Sequence, residues 1–272
     1  MDYHSHFLTI AGSKRTVRRL HLLALQVRIK ERYGSFDDHK LDLTSIPLAK
    51  FDQNEAEDLT DCYINSTGAL EELLVLLHSN LPGSRRSACS YCGIGAPSTM
   101  DHYLPKSAFP EFAVMALNLL PCCYECNTMK GNVFIEGGKR TIFYLYADTI
   151  PEQPYLCADI TYYAAAPVAS FRLHRHPEID PSVFARIESH YARLSLLRRY
   201  GEMANDYISE AMSSARTHCG DPGNWHAITR YLAKEHARLA ARMGTNYWKA
   251  VLFKALASSN AFVNQCCAIQ TC

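Results

Sequence analysis

The chain has 272 residues, 48% of them hydrophobic, with a formal net charge of +1 and eleven cysteines. That length and apolar content are enough to bury a substantial core, in one large domain or two, and they exclude an intrinsically disordered tail. A near-neutral balance excludes a uniformly basic nucleic-acid coat, so any contact with nucleic acid must come from local patches.

Charge is segregated along the chain. Lys14, Arg15, Arg18, Arg19, Arg28, Lys30 and Arg32 crowd the N-terminal stretch, whereas Asp52 to Asp61 is strongly acidic. Met1 to Gly12 has no basic start followed by a sustained apolar stretch, so no secretory signal is expected. The apolar run Leu20 to Val27 is interrupted by His21 and Gln26 and is too short to span a bilayer. With many cysteines and no signal, the expectation is a reducing, cytoplasmic setting without membrane contact.

Thr16 to Tyr33 has the periodicity of a basic amphipathic helix, with Leu20, Leu23 and Val27 on its apolar side. Its arginines are either contacts for a DNA backbone or a solvated face. Asn54 to Asn65 and Thr67 to Asn80 read as two further helices. Next come two Cys-x-x-Cys pairs, Cys89/Cys92 and Cys123/Cys126, with the ligand type and spacing of a closed structural zinc site. Cys122 adjoins the second pair, but Cys123 gives the better spacing. Four thiolates leave no open position on zinc, so catalysis would need other groups.

Those groups lie between and just after the pairs. Asp101, Asn118 and Asn127 offer oxygens suited to magnesium or manganese, and His102 suits proton abstraction near neutral pH. Met100 to Leu104 and Ala116 to Leu120 read as short antiparallel strands, and Tyr124 to Asn132 as a short helix ending near Gly131.

From Cys89 to Asn132, C-S-Y-C…M-D-H-Y-L-P-K…L-N-L-L-P-C-C-Y-E-C-N-T-M-K-G-N resembles the HNH, or ββα-metal, endonuclease motif with its zinc-knuckle decoration. The resemblance covers about a sixth of the chain. It implies Asp101 and Asn127 as ligands of a catalytic magnesium or manganese ion, His102 as general base, and Asn118 as the residue fastening the inter-strand loop. Cys89, Cys92, Cys123 and Cys126 become ligands of a structural zinc. Lys130, one turn after Asn127, becomes a phosphate contact. Asn127 departs from the family's final His, although an amide oxygen can still coordinate a hard cation.

The implied activity is hydrolysis of DNA phosphodiester bonds, by nicking or double-strand cutting. The P-K-S-x-F-P segment is similar to that of defence-associated members, which implies an antiphage or restriction role beside a separate ATPase or sensor subunit. Two alternatives stay open: the same site cutting RNA, and a non-catalytic zinc-knuckle scaffold that binds nucleic acid or protein.

Beyond the motif, Thr141 to Tyr146, Tyr155 to Tyr163 and Val168 to Leu173 read as strands of a small sheet. Pro181 to His218 and Asn224 to Val263 read as helix, divided by a turn at Cys219 to Gly223. Arg193, Arg198, Arg199, Arg230, Lys234, Arg238 and Arg242 read as solvated helix surface, and His174 with His176 as surface histidines lacking a third ligand. Cys62, Cys122, Cys157, Cys219, Cys266, Cys267 and Cys272 are left as free thiols. The expected class is α+β: an N-terminal helical region over 1–84, a ββα core with zinc knuckles over 85–140, and a β then α-helical region over 141–272. No nucleotide-binding loop, dinucleotide fingerprint or internal repeat is present.

Overall fold

The computed structural model describes residues 2–219 and 224–268. It is mixed α+β, with many helices and three two-stranded antiparallel sheets. The chain forms two compact units, Met1–Thr149 and Ile150–Cys272.

The first unit opens with α1 (Tyr3–Gly12), α2 (Thr16–Ala24) and α3 (Gln26–His39). Asp2 caps α1 by accepting from the His4 and Ser5 backbone N–H groups. The single helix expected over Thr16–Tyr33 is broken at Leu25, whose N–H bonds back to Leu22 in a tightened turn, and it then runs six residues further. α4 (Gln53–Ile64) begins in a reciprocal capping box between Asp52 and Glu55, and α5 (Gly68–Ser79) and the short α6 (Gly83–Arg86) follow. The helices pack around Phe7, Leu22, Ile29 and Phe36, all fully buried.

The charge segregation of the sequence is neutralised in space. Arg18 bonds Asp58 at 2.6 Å and Asp61 at 2.7 Å, and Lys14 bonds Asp61 at 3.0 Å. Arg28 reaches Glu55 at 3.0 Å and Arg32 reaches Glu111 at 2.9 Å. Four of the seven basic side chains of this stretch, including three of the four arginines read as possible contacts for a DNA backbone, therefore tie the N-terminal helices to the rest of the unit. Arg15, Arg19 and Lys30 remain exposed.

β1 (Thr99–His102) pairs antiparallel with β2 (Leu119–Cys122), setting Asp101 opposite Leu120 and His102 opposite Leu119. Ala116–Asn118, expected to begin the second strand, instead forms one 3-10 turn that delivers the chain into it. α7 (Tyr124–Lys130) then packs on β1 and stops at Gly131, whose φ of 55° ends the helix. β3 (Ile135–Glu136) and β4 (Lys139–Arg140) make a tight hairpin.

Thr141 to Tyr146 is not a strand. Its β-forming residues find no partner strand and act as a plug: Ile142, Phe143 and Tyr144 are buried, and the Tyr144 and Tyr146 hydroxyls donate to the Leu117 and Leu119 carbonyls.

In the second unit, β5 (Leu156–Tyr163) and β6 (Ala166–Leu173) form a hairpin turned by Ala164 and Ala165, both at positive φ as a two-residue turn with the strand twist requires. α8 (Pro181–Arg193), α9 (Leu196–Cys219), α10 (Trp225–Met243), α11 (Trp248–Ser258) and α12 (Asn260–Ala268) complete it. The two long helical runs are thus five helices, divided at Ser195 (φ 48°), at Gly244 (φ 97°) and at Ser259. Gly220 to Gly223 of the expected turn, and Cys272, lie outside the described residues. Trp248 stacks on Tyr200 at 5.6 Å in the core. Arg199, expected on a solvated surface, is buried and donates to the Leu194 carbonyl. His174 is exposed, and no third ligand joins it and His176 among the described residues.

Candidate active site and metal centre

The two Cys-x-x-Cys pairs converge. The ligand atoms of Cys89, Cys92, Cys123 and Cys126 all lie within 4.8 Å of one another, and all four residues are buried. The first pair sits on a knuckle in which the Cys89 N–H donates to the Gly95 carbonyl and the Gly93 N–H to Cys89, with Gly93 at φ 67°. The second pair opens α7, where the Cys126 N–H points at the Cys123 sulfur. Hydrogen bonds from Cys126, Cys89 and Cys92 pull the Cys123 thiol down, and the same contacts push Cys92 and Cys126 up, because the four sulfurs share one small space. A buried set of four soft donors at this separation fits a tetrahedral ion, and the cluster could hold a structural zinc. Cys122 stays outside it, bonded through sulfur to the Thr99 hydroxyl.

Successive strand residues face opposite ways, so Asp101 and His102 are delivered to different sides of β1. On the Asp101 side the carboxylate is 1% exposed and both oxygens are taken: the Tyr91 hydroxyl donates to Oδ2 at 2.7 Å, and the Lys130 ammonium to Oδ1 at 2.9 Å. Burial pushes the carboxyl upward against the pull of Lys130 and Tyr91. Lys130 also donates to the His102 carbonyl at 2.7 Å and is itself fully buried.

This corrects the role expected for Lys130. The lysine one turn after Asn127 faces inward, because the Asp101 carboxylate needs a counter-charge there, and it cannot reach a phosphate in solvent. Asn127 turns its amide nitrogen to the Thr99 hydroxyl and the Met100 carbonyl. With an ammonium already on Asp101, this pair does not fit a divalent cation as it stands.

Removing that ammonium should be costly. Lys130→Met leaves a buried carboxylate with one neutral donor, and we expect a loss of about 3–5 kcal/mol in urea unfolding. The Asp101→Asn/Lys130→Met double variant should recover part of it. A single variant within about 1 kcal/mol of wild type would show that the pair does not hold the core.

On the His102 side, Nε2 lies 2.8 Å from the Ala113 carbonyl oxygen. A carbonyl can only accept, so Nε2 carries the proton and Nδ1 keeps its lone pair. Among the described residues Nδ1 has no hydrogen-bond partner. Burial pushes the imidazole down to about 3, outweighing the opposing effect of the Ala113 bond, so it is neutral at physiological pH. Eight per cent of the residue stays open to solvent, enough to present one edge.

The loop holding that carbonyl is tightly built. Asn118 is fully buried; its Oδ1 accepts from the Leu104 N–H at 2.7 Å, and its Nδ2 donates to the Leu104 and Phe112 carbonyls. One amide thus closes the connection between β1 and β2. Arg32 holds the same loop from α3 through Glu111, two residues before Ala113. Two neighbours escaped the sequence reading: Tyr63 of α4, edge-on to His102 at 4.3 Å, and Lys106, whose ammonium is 5.7 Å from the Tyr63 ring. Tyr63 lies far upstream with no local signal; Lys106 stood within the motif but read as loop.

No family model matches the chain, and no solved structure matches it. It is similar to a protein of Escherichia phage lambda named Protein ea31, at 24% identity over 244 residues, covering 82% of this chain and 78% of that protein. No helix among the described residues is long and apolar enough to cross a membrane.

Proposed function

We propose that the first unit is a nucleic-acid phosphodiester hydrolase of the ββα-metal kind, with DNA as its substrate. The observation that carries this reading is the His102 imidazole, fixed in one tautomer by the Ala113 carbonyl with its Nδ1 lone pair unpartnered among the described residues. A neutral imidazole so oriented can take a proton from water as that water attacks phosphorus. Asn118 holds the neighbouring Phe112 carbonyl, and Tyr63 meets the ring edge-on. The cysteine cluster, strapping the loop before β1 to the start of α7, would keep strand and helix in register around the base.

The HNH resemblance implies a magnesium or manganese ion at Asp101 and Asn127, but those residues, already bonded to Lys130, Tyr91, Thr99 and Met100, do not fit it. Lys130 occupies the place beside Asp101 that such an ion would need. The same closure favours one rival, a zinc-stapled scaffold that binds without cutting. An antiphage or restriction setting, with a separate ATPase or sensor subunit, belongs to the proposal on the motif's resemblance alone.

Supercoiled plasmid, linear duplex and total RNA, each incubated with purified protein and magnesium, manganese or chelator, separate these readings. Conversion of plasmid to open circle before linear form is the expected result, since one such centre cuts one strand. Loss of RNA alone would move the substrate to RNA. Intact substrates in every arm, with retained binding, would leave the scaffold.

A further inference from the structure

With Lys130 sealed against Asp101, the site needs another group to hold a phosphate, and the structure offers one on the His102 side. Lys106 lies in the turn after β1, closed by the Ala108 N–H donating to the Pro105 carbonyl, and it is half-buried. Its ammonium rests 5.7 Å from the centroid of the Tyr63 ring, and the same ring meets the His102 imidazole edge-on at 4.3 Å. One aromatic side chain from α4 therefore touches both the base and a cation.

Among the described residues Lys106 has neither a hydrogen bond nor an ion pair. That sets it apart from the other cations around the loop. Lys130 is bound to Asp101 and Arg32 to Glu111, and Arg18 and Lys14 are bound to the acids of α4. The charge of Lys106 is nonetheless felt at the centre, since it acts on both His102 and Asp101. An ammonium steadied by a ring face, with no carboxylate to neutralise it, keeps its N–H donors for an incoming anion.

We propose that Lys106, seated on Tyr63, is the phosphate-binding residue of this site and holds a nucleic-acid phosphodiester beside the His102 imidazole. This rests on the hydrolase reading, because it places the scissile group next to the proposed base. Tyr63 is then a positioning residue, fixing lysine and imidazole relative to each other.

The test measures binding without turnover. In the His102→Ala protein, affinities for a fluorescein-labelled DNA duplex and a matched single-stranded RNA are followed by anisotropy over a salt series. Lys106→Gln should weaken binding about tenfold at low salt, as loss of one charge-assisted contact predicts. It should also flatten the plot of log affinity against log salt by about 0.9 for duplex DNA, or about 0.7 for a single strand, whereas Lys106→Arg should keep the wild-type slope. A merely structural lysine would not move that slope. Unchanged affinity and slope in Lys106→Gln overturns the proposal and leaves the hydrolase reading standing if the His102-intact protein cuts. Binding to neither probe, with no cleavage by the intact protein, overturns both.

Discussion

Cys123→Ser is expected to abolish metal content and to melt the segment from Cys89 to Lys130. Structural zinc sites of this donor type contribute roughly 10–16 kcal/mol of apparent binding free energy at neutral pH, more than the whole stability of most domains. Here the cluster joins two stretches more than thirty residues apart in sequence: the knuckle ahead of β1 and the first turn of α7. Without an ion, four buried thiols would face one another with only weak hydrogen bonds between them. Wild-type protein should therefore carry about one zinc per chain, the full set of one tetrahedral site. The variant should carry none and should become sensitive to protease between α6 and β3. Wild-type protein that arrives without metal and keeps its fold in a strong chelator would show that the four are ordinary core cysteines.

His102→Ala should reduce cleavage by about 10²–10⁴-fold while leaving metal content and secondary structure as they were. What the fold loses is one hydrogen bond, from Nε2 to the Ala113 carbonyl, and one edge-on contact with Tyr63. The pH behaviour provides an independent check. The imidazole sits at about 3 in the folded chain, so as a base it is ready throughout pH 5–8, and the rate should show no histidine limb near the ordinary value of about 6.5. Stability should respond at lower pH instead. Between about 6.5 and about 3 the unfolded chain binds a proton that the folded chain refuses, so this residue makes stability rise with pH, by at most about 1.4 kcal/mol per unit. Acidification should accordingly weaken wild type more than His102→Ala. A variant that cuts at the wild-type rate would remove His102 from the mechanism.

Much of this architecture was legible because it is written locally. Helices read from local pattern as starting at Asn54 and Pro181 are found one residue earlier and at Pro181 itself, behind the Asp52–Glu55 capping box and the Asp180 cap, and the spacing of the cysteine pairs marks the cluster. Features set by distant partners were not legible. Lys130 ends a short surface-like helix, and only the buried Asp101 on the neighbouring strand explains why it turns inward. Thr141 to Tyr146 has the composition of a strand, but pairing depends on a neighbour that local composition cannot supply. Likewise, the arginines of α2 and α3 look available for phosphates until the acids of α4 are brought beside them.

β1 acts as a partition. The side that carries Asp101 holds a matched ion pair beside the strand and helix that the cysteine cluster would strap together, whereas the side that carries His102 meets solvent at one edge. The two sides are therefore unequal under mutation. A change at Lys130 threatens folding itself, but a change at His102 removes one hydrogen bond and, on the reading proposed above, the reaction. If His102 is the base proposed above, a lineage could discard cleavage in a single step and still inherit a stable domain, and a relative with the cysteines and the buried pair but no histidine would keep the shape with nothing left to catalyse.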